Sequence, residues 1–352
     1  MISTTANEAI SLLSQLIAIQ SFSREESAAA GFLEKFIEEK GLTVMRSKNN
    51  IWLMSPGFDT AKPTILLNSH IDTVRPVSGW TYDPFSPVTE GDKLIGLGSN
   101  DAGASLVSLL YAFLHLTEHQ QHFNLIYAAT SEEEISGKDG IESLLNDLPA
   151  IDFAIVGEPT GMQMAIAEKG LMVLDCIATG VAGHAARNEG ENAIYNALTD
   201  VEWFRNYRFE KNSPLLGPVR MSVTQINAGT QHNVIPDKCS FVVDVRTNEL
   251  YDNHEILNEI KKHVKCSVSA RSTRLGSSST PMNHPVVKRG KQLGLSVFGS
   301  PTLSDQALMP FPSIKIGPGD SSRSHTANEY ILCSEIENAI QTYVNLLHQL
   351  TF

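Results

Sequence analysis

The chain has 352 residues, which is room for two domains of roughly 100–200 residues each. Hydrophobic residues at 42% and charged residues at 19% are ordinary for a globular protein. The formal net charge of −12, with no basic cluster, disfavours nucleic-acid and acidic-membrane partners, because both call for a concentrated Lys/Arg surface.

In chain order, Ile10, Leu13, Leu16, Ile17 and Ile19 recur at helical spacing, and Phe32, Phe36 and Ile37 mark a second helix that stops before Gly41. Both read as core-facing cover helices. Ile51 to Met54 is a short strand closed by a Pro56-Gly57 turn. After Pro63, the apolar run Thr64-Ile65-Leu66-Leu67 predicts a strand buried in an α/β sheet. His70 then falls at its carboxyl end, the edge where open α/β sheets bind ligands. Asp72, two residues on, is placed to accept the second ring N–H of His70 and so to make the other nitrogen a better metal donor. Taken alone, His-x-Asp is a weak signal and reads as a solvated loop pair.

The segment Gly96 to Ala104 is a glycine-rich loop, and Leu106, Leu109, Leu110, Phe113 and Leu116 make the next helix. Asp101 thus stands at a helix N-terminus, where an anionic group or a plain N-cap aspartate is expected. Phe123 to Thr130 is a second buried strand running into Ser131-Glu132-Glu133-Glu134, a triplet that elsewhere would be a solvated face. A third strand, Phe153 to Val156, ends in Gly157-Glu158-Pro159-Thr160. A fourth, Ser313 to Ile316, leads to Arg323-Ser324-His325-Thr326. Four strands that deliver His or Asp/Glu to one edge point to two-metal hydrolysis. Imidazole and carboxylate donors without thiolate suit catalytic Zn²⁺, with Co²⁺ or Mn²⁺ as substitutes, and a carboxylate can bridge two ions about 3.5–4 Å apart. One glutamate beyond the metal-holding set remains to deprotonate a water.

The order His70-x-Asp72, Gly-x-Gly-x-x-Asp101, Glu133-Glu134, Gly157-Glu158-Pro159 and Ser324-His325-Thr326 resembles the zinc peptidase and deacylase family of acetylornithine deacetylase, succinyl-diaminopimelate desuccinylase, aminoacylase and glutamate carboxypeptidase. The resemblance spans nearly the whole chain. It implies that His70, Asp101 and Glu158 hold one metal ion and Asp101, Glu134 and His325 the other, with Asp101 bridging, Glu133 as general base and Asp72 orienting His70. It also implies a di-zinc aminopeptidase-like α/β fold, a central mixed and mostly parallel sheet flanked by helices. Many members carry a lysine two residues after the bridging aspartate, where this chain has Gly103. A one-residue slip in the phase of Glu132-Glu133-Glu134 is the alternative alignment.

From Leu171 to about Arg274 the order becomes β-α-β-β-α-β, that of a ferredoxin-like unit. The expected division is a catalytic domain over 1–170 plus 275–352 and an inserted lid or dimerisation domain over 171–274. By the resemblance, His184 in Gly183-His184-Ala185 polarises the scissile carbonyl, and Asn233 and Arg246 bind substrate carboxylates. Without it, His184 is a loop histidine and Arg246 a member of a surface ion pair. A final helix is expected to open with a Ser334/Glu337 capping box and to bury Ile336, Ile340, Val344 and Leu347.

The scattered Cys176, Cys239, Cys266 and Cys333 read as reduced thiols of a cytoplasmic protein, and no apolar run approaches roughly 18 residues. The resemblance implies metal-dependent deacylation of a small-molecule N-acyl amino acid, most closely of the acetylornithine type in arginine biosynthesis, by a homodimer paired through the inserted domain. The alternatives are a desuccinylase, a di- or aminopeptidase on the same scaffold, or a metal-binding ligand carrier without catalysis.

Overall fold

The computed structural model describes residues 2–187 and 189–352, and these form two compact units. The first runs to Ile166 and resumes over Ser279–Phe298 and Ser304–Phe352, while the second comprises Ala167–Ser278 and Gly299–Leu303.

The first unit is built on a mixed sheet. Its strands lie in the order Met45–Ser47, Asn50–Met54, Asn124–Thr130, Thr64–His70, Phe153–Val156, Ser313–Lys315, Met164–Glu168. The four from Asn124–Thr130 to Ser313–Lys315 run parallel, and antiparallel strands flank them. Every residue of Thr64–His70 and Asn124–Thr130 is buried, because helices cover both faces and the strands must be apolar on both. Ile65 and Leu67 face one core with the helices Ile2–Ile17, Ala104–Thr117 and Cys333–Leu347, and Leu66 faces the other with Ile141, Leu144 and Met309. Register pairs His70 with Thr130 and Asn68 with Val156, so the parallel strands end together and their following loops share one edge.

The second unit is a four-stranded antiparallel sheet in the order Arg220–Ala228, Lys238–Thr247, Gly170–Thr179, Ser267–Ala270, with the helices Ala193–Asn206 and Asn253–His263. That is the ferredoxin-like arrangement. Its core packs Leu174, Phe241, Val243 and Val245 against Ala197, Phe204, Ile256 and Ile260. Among the described residues no helix is long and apolar enough to cross a membrane.

Two sequence expectations shift. The final helix spans Cys333–Leu347, and the group that reaches back to its start is Glu335, whose Oε2 accepts the Leu332 N–H at 3.0 Å. Ser334 instead hydrogen-bonds Asp92 through its hydroxyl. In Ser27–Glu39 the buried stripe is Ala29, Ala30, Leu33 and Ile37, and Phe32 and Phe36 only flank the core. Leu33→Ala is therefore expected to cost about 2–5 kcal/mol in urea unfolding, and Phe32→Ala less in spite of its larger side chain. The reverse ranking would refute this assignment of the helix face.

Candidate metal centre

His70 ends its strand with the side chain almost wholly buried. Its Nδ1 lies 2.9 Å from the Asp72 main-chain oxygen and 3.4 Å from Asp72 Oδ1. A carbonyl only accepts, so Nδ1 carries the proton, and the nearest orienting group is the main chain of Asp72 rather than its carboxylate. That carboxylate accepts Ser23 Oγ at 2.7 Å and the main-chain N–H groups of Glu133 and Glu134, both at 3.1 Å. Asp72 thereby ties the glutamate turn to the histidine strand.

On its other side, His70 Nε2 faces Asp101 Oδ1 at 3.3 Å, Glu158 Oε1 at 3.8 Å and Glu133 Oε2 at 3.9 Å. Asp101 turns its second oxygen to His325 Nε2 at 3.6 Å, and that nitrogen lies 3.0 Å from Glu134 Oε2. Asp101 thus stands between the two imidazoles. No side-chain cap bond marks the start of the helix Ala104–Thr117, so Asp101 is not spent as an N-cap. Its turn needs Gly98 in the left-handed region (φ 74°), where a Cβ would lie 2.6 Å from Thr73 Cγ2. The peptide from Asp101 to Ala102 is cis. A Cβ on Gly103 would meet Gly98 O at 2.5 Å and Leu13 Cδ1 at 2.6 Å, so this backbone leaves no space for a side chain at that position.

The glutamate triplet divides three ways. Glu132 is left-handed (φ 57°), gives its N–H to Glu26 Oε1 at 3.1 Å, and turns its carboxylate to the Asp139 N–H at 3.3 Å and to Arg24. Glu133 faces His70, and Glu134 faces His325. Two groups can hold an ion, His70 with Asp101 and Glu158, and Asp101 with Glu134 and His325. Within each, the donor atoms lie within 4.8 Å of one another.

The electrostatics fit cations in this space. Glu158 Oε1 is buried without a hydrogen-bond partner among the described residues, a costly state for a carboxylate lacking a countercharge. Burial, with Asp101 close by, pushes Glu158 up to about 8, although His70 works the other way. Burial also raises Glu133 well above the usual carboxylate range. His325 rises to about 9 through its bond to Glu134, and His70 rises because its carboxylate neighbours outweigh burial. Each histidine is pulled toward holding a proton where a metal ion would sit.

Three buried carboxylates that brace the loops of the site, Asp305, Glu26 and Glu329, do not stand out in the sequence. Asp305 accepts Asn68 Nδ2 at 2.7 Å and Thr130 Oγ1 at 2.8 Å, bracing the ends of two neighbouring strands. Glu26 accepts the N–H of Arg24 and of Glu132 and the amide of Asn49. Glu329 accepts N–H groups from the Asp101 turn. Only the aspartate beside Gln306, at the close of a loop, carried any local signal, a Ser304 N-cap.

In the second unit, the short strand Gly183–His184 pairs with Val234–Ile235, and the Asn233 main-chain oxygen accepts the Ala185 N–H at 3.0 Å, so His184 and Asn233 are neighbours. Arg246 makes a two-point bond to Asp244 at 2.9 and 3.1 Å and stands opposite Arg220 in register.

A sheet edge that gathers two imidazoles and a set of carboxylates into two groups able to hold an ion fits a metal-dependent hydrolase. The comparisons with known proteins agree, because residues 66–349 match the model of peptidase family M20/M25/M40, and the chain belongs to that family. It is an enzyme of the metal-dependent amidohydrolase and peptidase class. It is 27% identical to a succinyl-diaminopimelate desuccinylase of a Ruegeria species over 74% of this chain and 71% of that protein. Identity is 27% to a [LysW]-lysine/[LysW]-ornithine hydrolase of Sulfurisphaera tokodaii (96% and 94% covered), and 29% to an acetylornithine deacetylase of Proteus mirabilis (93% of each). Among solved structures, aminopeptidase PepT of Bacillus cereus superposes with a TM-score of 0.79 at 17% identity, covering 98% of both chains. A dinuclear metal binding peptidase of Bacillus subtilis does so at 0.76 and 15% identity, covering 99% of this chain and 100% of that one.

Proposed function

We propose that this chain hydrolyses the amide bond of an N-acyl amino acid, with N-acetylornithine or a close N-acyl analogue as substrate and a place in arginine biosynthesis. The observation that carries hydrolysis is Glu133, a largely buried carboxylate 3.9 Å from His70 Nε2 that belongs to neither metal-holding triad. In this reading His70, Asp101 and Glu158 hold one ion and Asp101, Glu134 and His325 the other. Two Zn²⁺ suit those donors, and Co²⁺ or Mn²⁺ could replace them. When bound, the pair supplies an activated water and polarisation of the acyl carbonyl. Glu133 takes the proton from the attacking water and passes it to the leaving amine, and Asp72 fixes its aim through the Glu133 N–H. Asp101 keeps the two halves of the site in register.

For the carbonyl oxygen the proposed partner is His184. Its Nδ1 accepts the Ala186 N–H at 3.1 Å, so the neutral ring carries its proton on Nε2, the tautomer that can donate to a developing oxyanion. Asn233 and Arg246 are proposed to bind substrate carboxylate. Arg246 has Arg220 opposite it in register, and the charge of both is felt at Lys169, whose Nζ donates to Pro218 O at 3.2 Å. With Asp244 offsetting Arg246, the excess of positive charge left by Arg220 and Lys169 favours an anionic substrate over the free α-amine that an aminopeptidase must accept. The 29% identity to an acetylornithine deacetylase supports the same substrate. Among the described residues the four cysteines are free thiols, in keeping with a cytoplasmic location.

We further propose a homodimer through the second unit, supported by the exposed apolar side chains of Val181, Tyr195, Leu198 and Ile226. Sedimentation equilibrium should give twice the 38.5 kDa chain mass, and a monomer at all concentrations would exclude it.

Glu133→Gln should keep the fold and lower amine release from N-acetylornithine by at least ~10²-fold, whereas Glu132→Gln should have a mild effect. Near-normal turnover by Glu133→Gln would remove its role as base. In a panel of N-acetyl and N-succinyl amino acids and dipeptides, the acetyl substrates should lead in kcat/KM. A lead by N-succinyl substrates or dipeptides would replace the substrate named here.

A further inference from the structure

Glu329 lies four positions after His325, just before the short strand Tyr330–Leu332, and is 2% exposed. Its carboxylate accepts three main-chain N–H groups of one turn. Gly98 donates to Oε2 at 3.1 Å, and Asn100 and Asp101 donate to Oε1 at 2.8 and 2.9 Å. Its own main-chain oxygen accepts the Gly96 N–H at 3.0 Å. Four main-chain N–H groups on the approach to Asp101 are therefore tied to this one residue. A second tie runs from the same turn to the same distant segment, since Asn100 Nδ2 donates to Asp320 O at 3.1 Å and Ser324 Oγ at 3.2 Å.

We infer that Glu329 is a positioning residue for the metal pair, setting the main chain of Asp101 so that each carboxylate oxygen of Asp101 meets a different imidazole. The chemistry of the side chain carries this. Three N–H donors converge on two oxygens, and only a carboxylate offers enough lone pairs on both. A glutamine would turn its amide N–H₂ against one of the donors and leave a buried N–H unpaired. A small rotation of the turn moves both Asp101 oxygens together, because Oδ1 stands 3.3 Å from His70 and Oδ2 stands 3.6 Å from His325. Loss of Glu329 is therefore felt by both triads, whereas loss of Glu158 or Glu134 touches one.

The inference rests on the assignment of His70, Asp101, Glu134, Glu158 and His325 as metal donors, and one titration separates the two. Zn²⁺ binding to the full chain is measured by competition with a chromophoric chelator for wild type, Glu329→Gln, Glu329→Asp and Asn124→Ala. Asn124 is a buried residue at the far end of its strand that braces the 59–64 loop, so its variant reports plain destabilisation. Metal-free thermal unfolding is recorded alongside.

Wild type should bind two equivalents, and its failure to do so removes the donor assignment itself. Glu329→Gln should weaken both equivalents together by about 10–100-fold, with Asn124→Ala leaving both unchanged whatever it does to unfolding. Binding within about twofold of wild type, a loss confined to one equivalent, or a loss matched by Asn124→Ala overturns the inference. Should Glu329→Gln not fold, Glu329→Asp carries the test. It keeps the charge but is one methylene too short to reach all three donors, so a joint weakening is again expected and unchanged affinity overturns the inference. If neither variant folds in the presence of Zn²⁺, Glu329 serves the fold at large and the positioning role is withdrawn.

Discussion

Negative charge confined at one sheet edge is the constraint on which the rest of this structure depends. Asp101, Glu133, Glu134 and Glu158 crowd around two imidazoles, and Asp72, Asp305 and Glu329 lie close behind them, all largely withdrawn from water. Such a set repels itself, and burial drives several members toward the neutral acid. Two kinds of compensation are visible. The inner groups face the two histidines and are grouped so that they could hold cations, while the outer ones are satisfied by the main chain, Asp72 by the N–H groups of Glu133 and Glu134 and Glu329 by those of the 98–101 turn. The outer carboxylates convert their charge into geometry, since each fixes a turn that carries an inner one.

That division fits the placement of the site at the carboxyl ends of the parallel strands. Loops at the carboxyl ends of parallel strands can present polar groups without burying unpaired main chain in the core, and registry of the strands brings those loops together. Left-handed Gly98, Glu132 and His325 then bend three of the loops back over the edge. For Glu132 and His325 the conformation costs on the order of 1–3 kcal/mol each, and at Glu132 the bond to buried Glu26 offsets part of it.

Much of this was legible because it repeats. A buried strand ending in an acidic or imidazole residue recurs at His70, Glu134 and Glu158, and the mixed sheet, the ferredoxin-like insert and the metal-dependent hydrolase class all follow from reading that recurrence with the family motifs. What stayed hidden has no repeat to reveal it. Glu329 in Asn328-Glu329-Tyr330 looks like any surface glutamate, and its partner Asp101 lies 228 positions away in the chain. Asp305 is paired over 175 and 237 positions. Ser27–Glu39 is a core-facing helix, and the centre of its buried stripe has a local cause. Alanines at 29 and 30 allow close packing on the sheet, so the core takes the small residues and leaves the two phenylalanines at its margin.

The central claim is that the crowded carboxylates exist to share two ions through Asp101. Anomalous diffraction at the zinc absorption edge from crystals grown with Zn²⁺ tests it most directly. The account predicts two peaks about 3.5–4 Å apart, one beside His70 and Glu158, one beside Glu134 and His325, with Asp101 between them. A single peak at full zinc occupancy, or two peaks that Asp101 does not bridge, would contradict it.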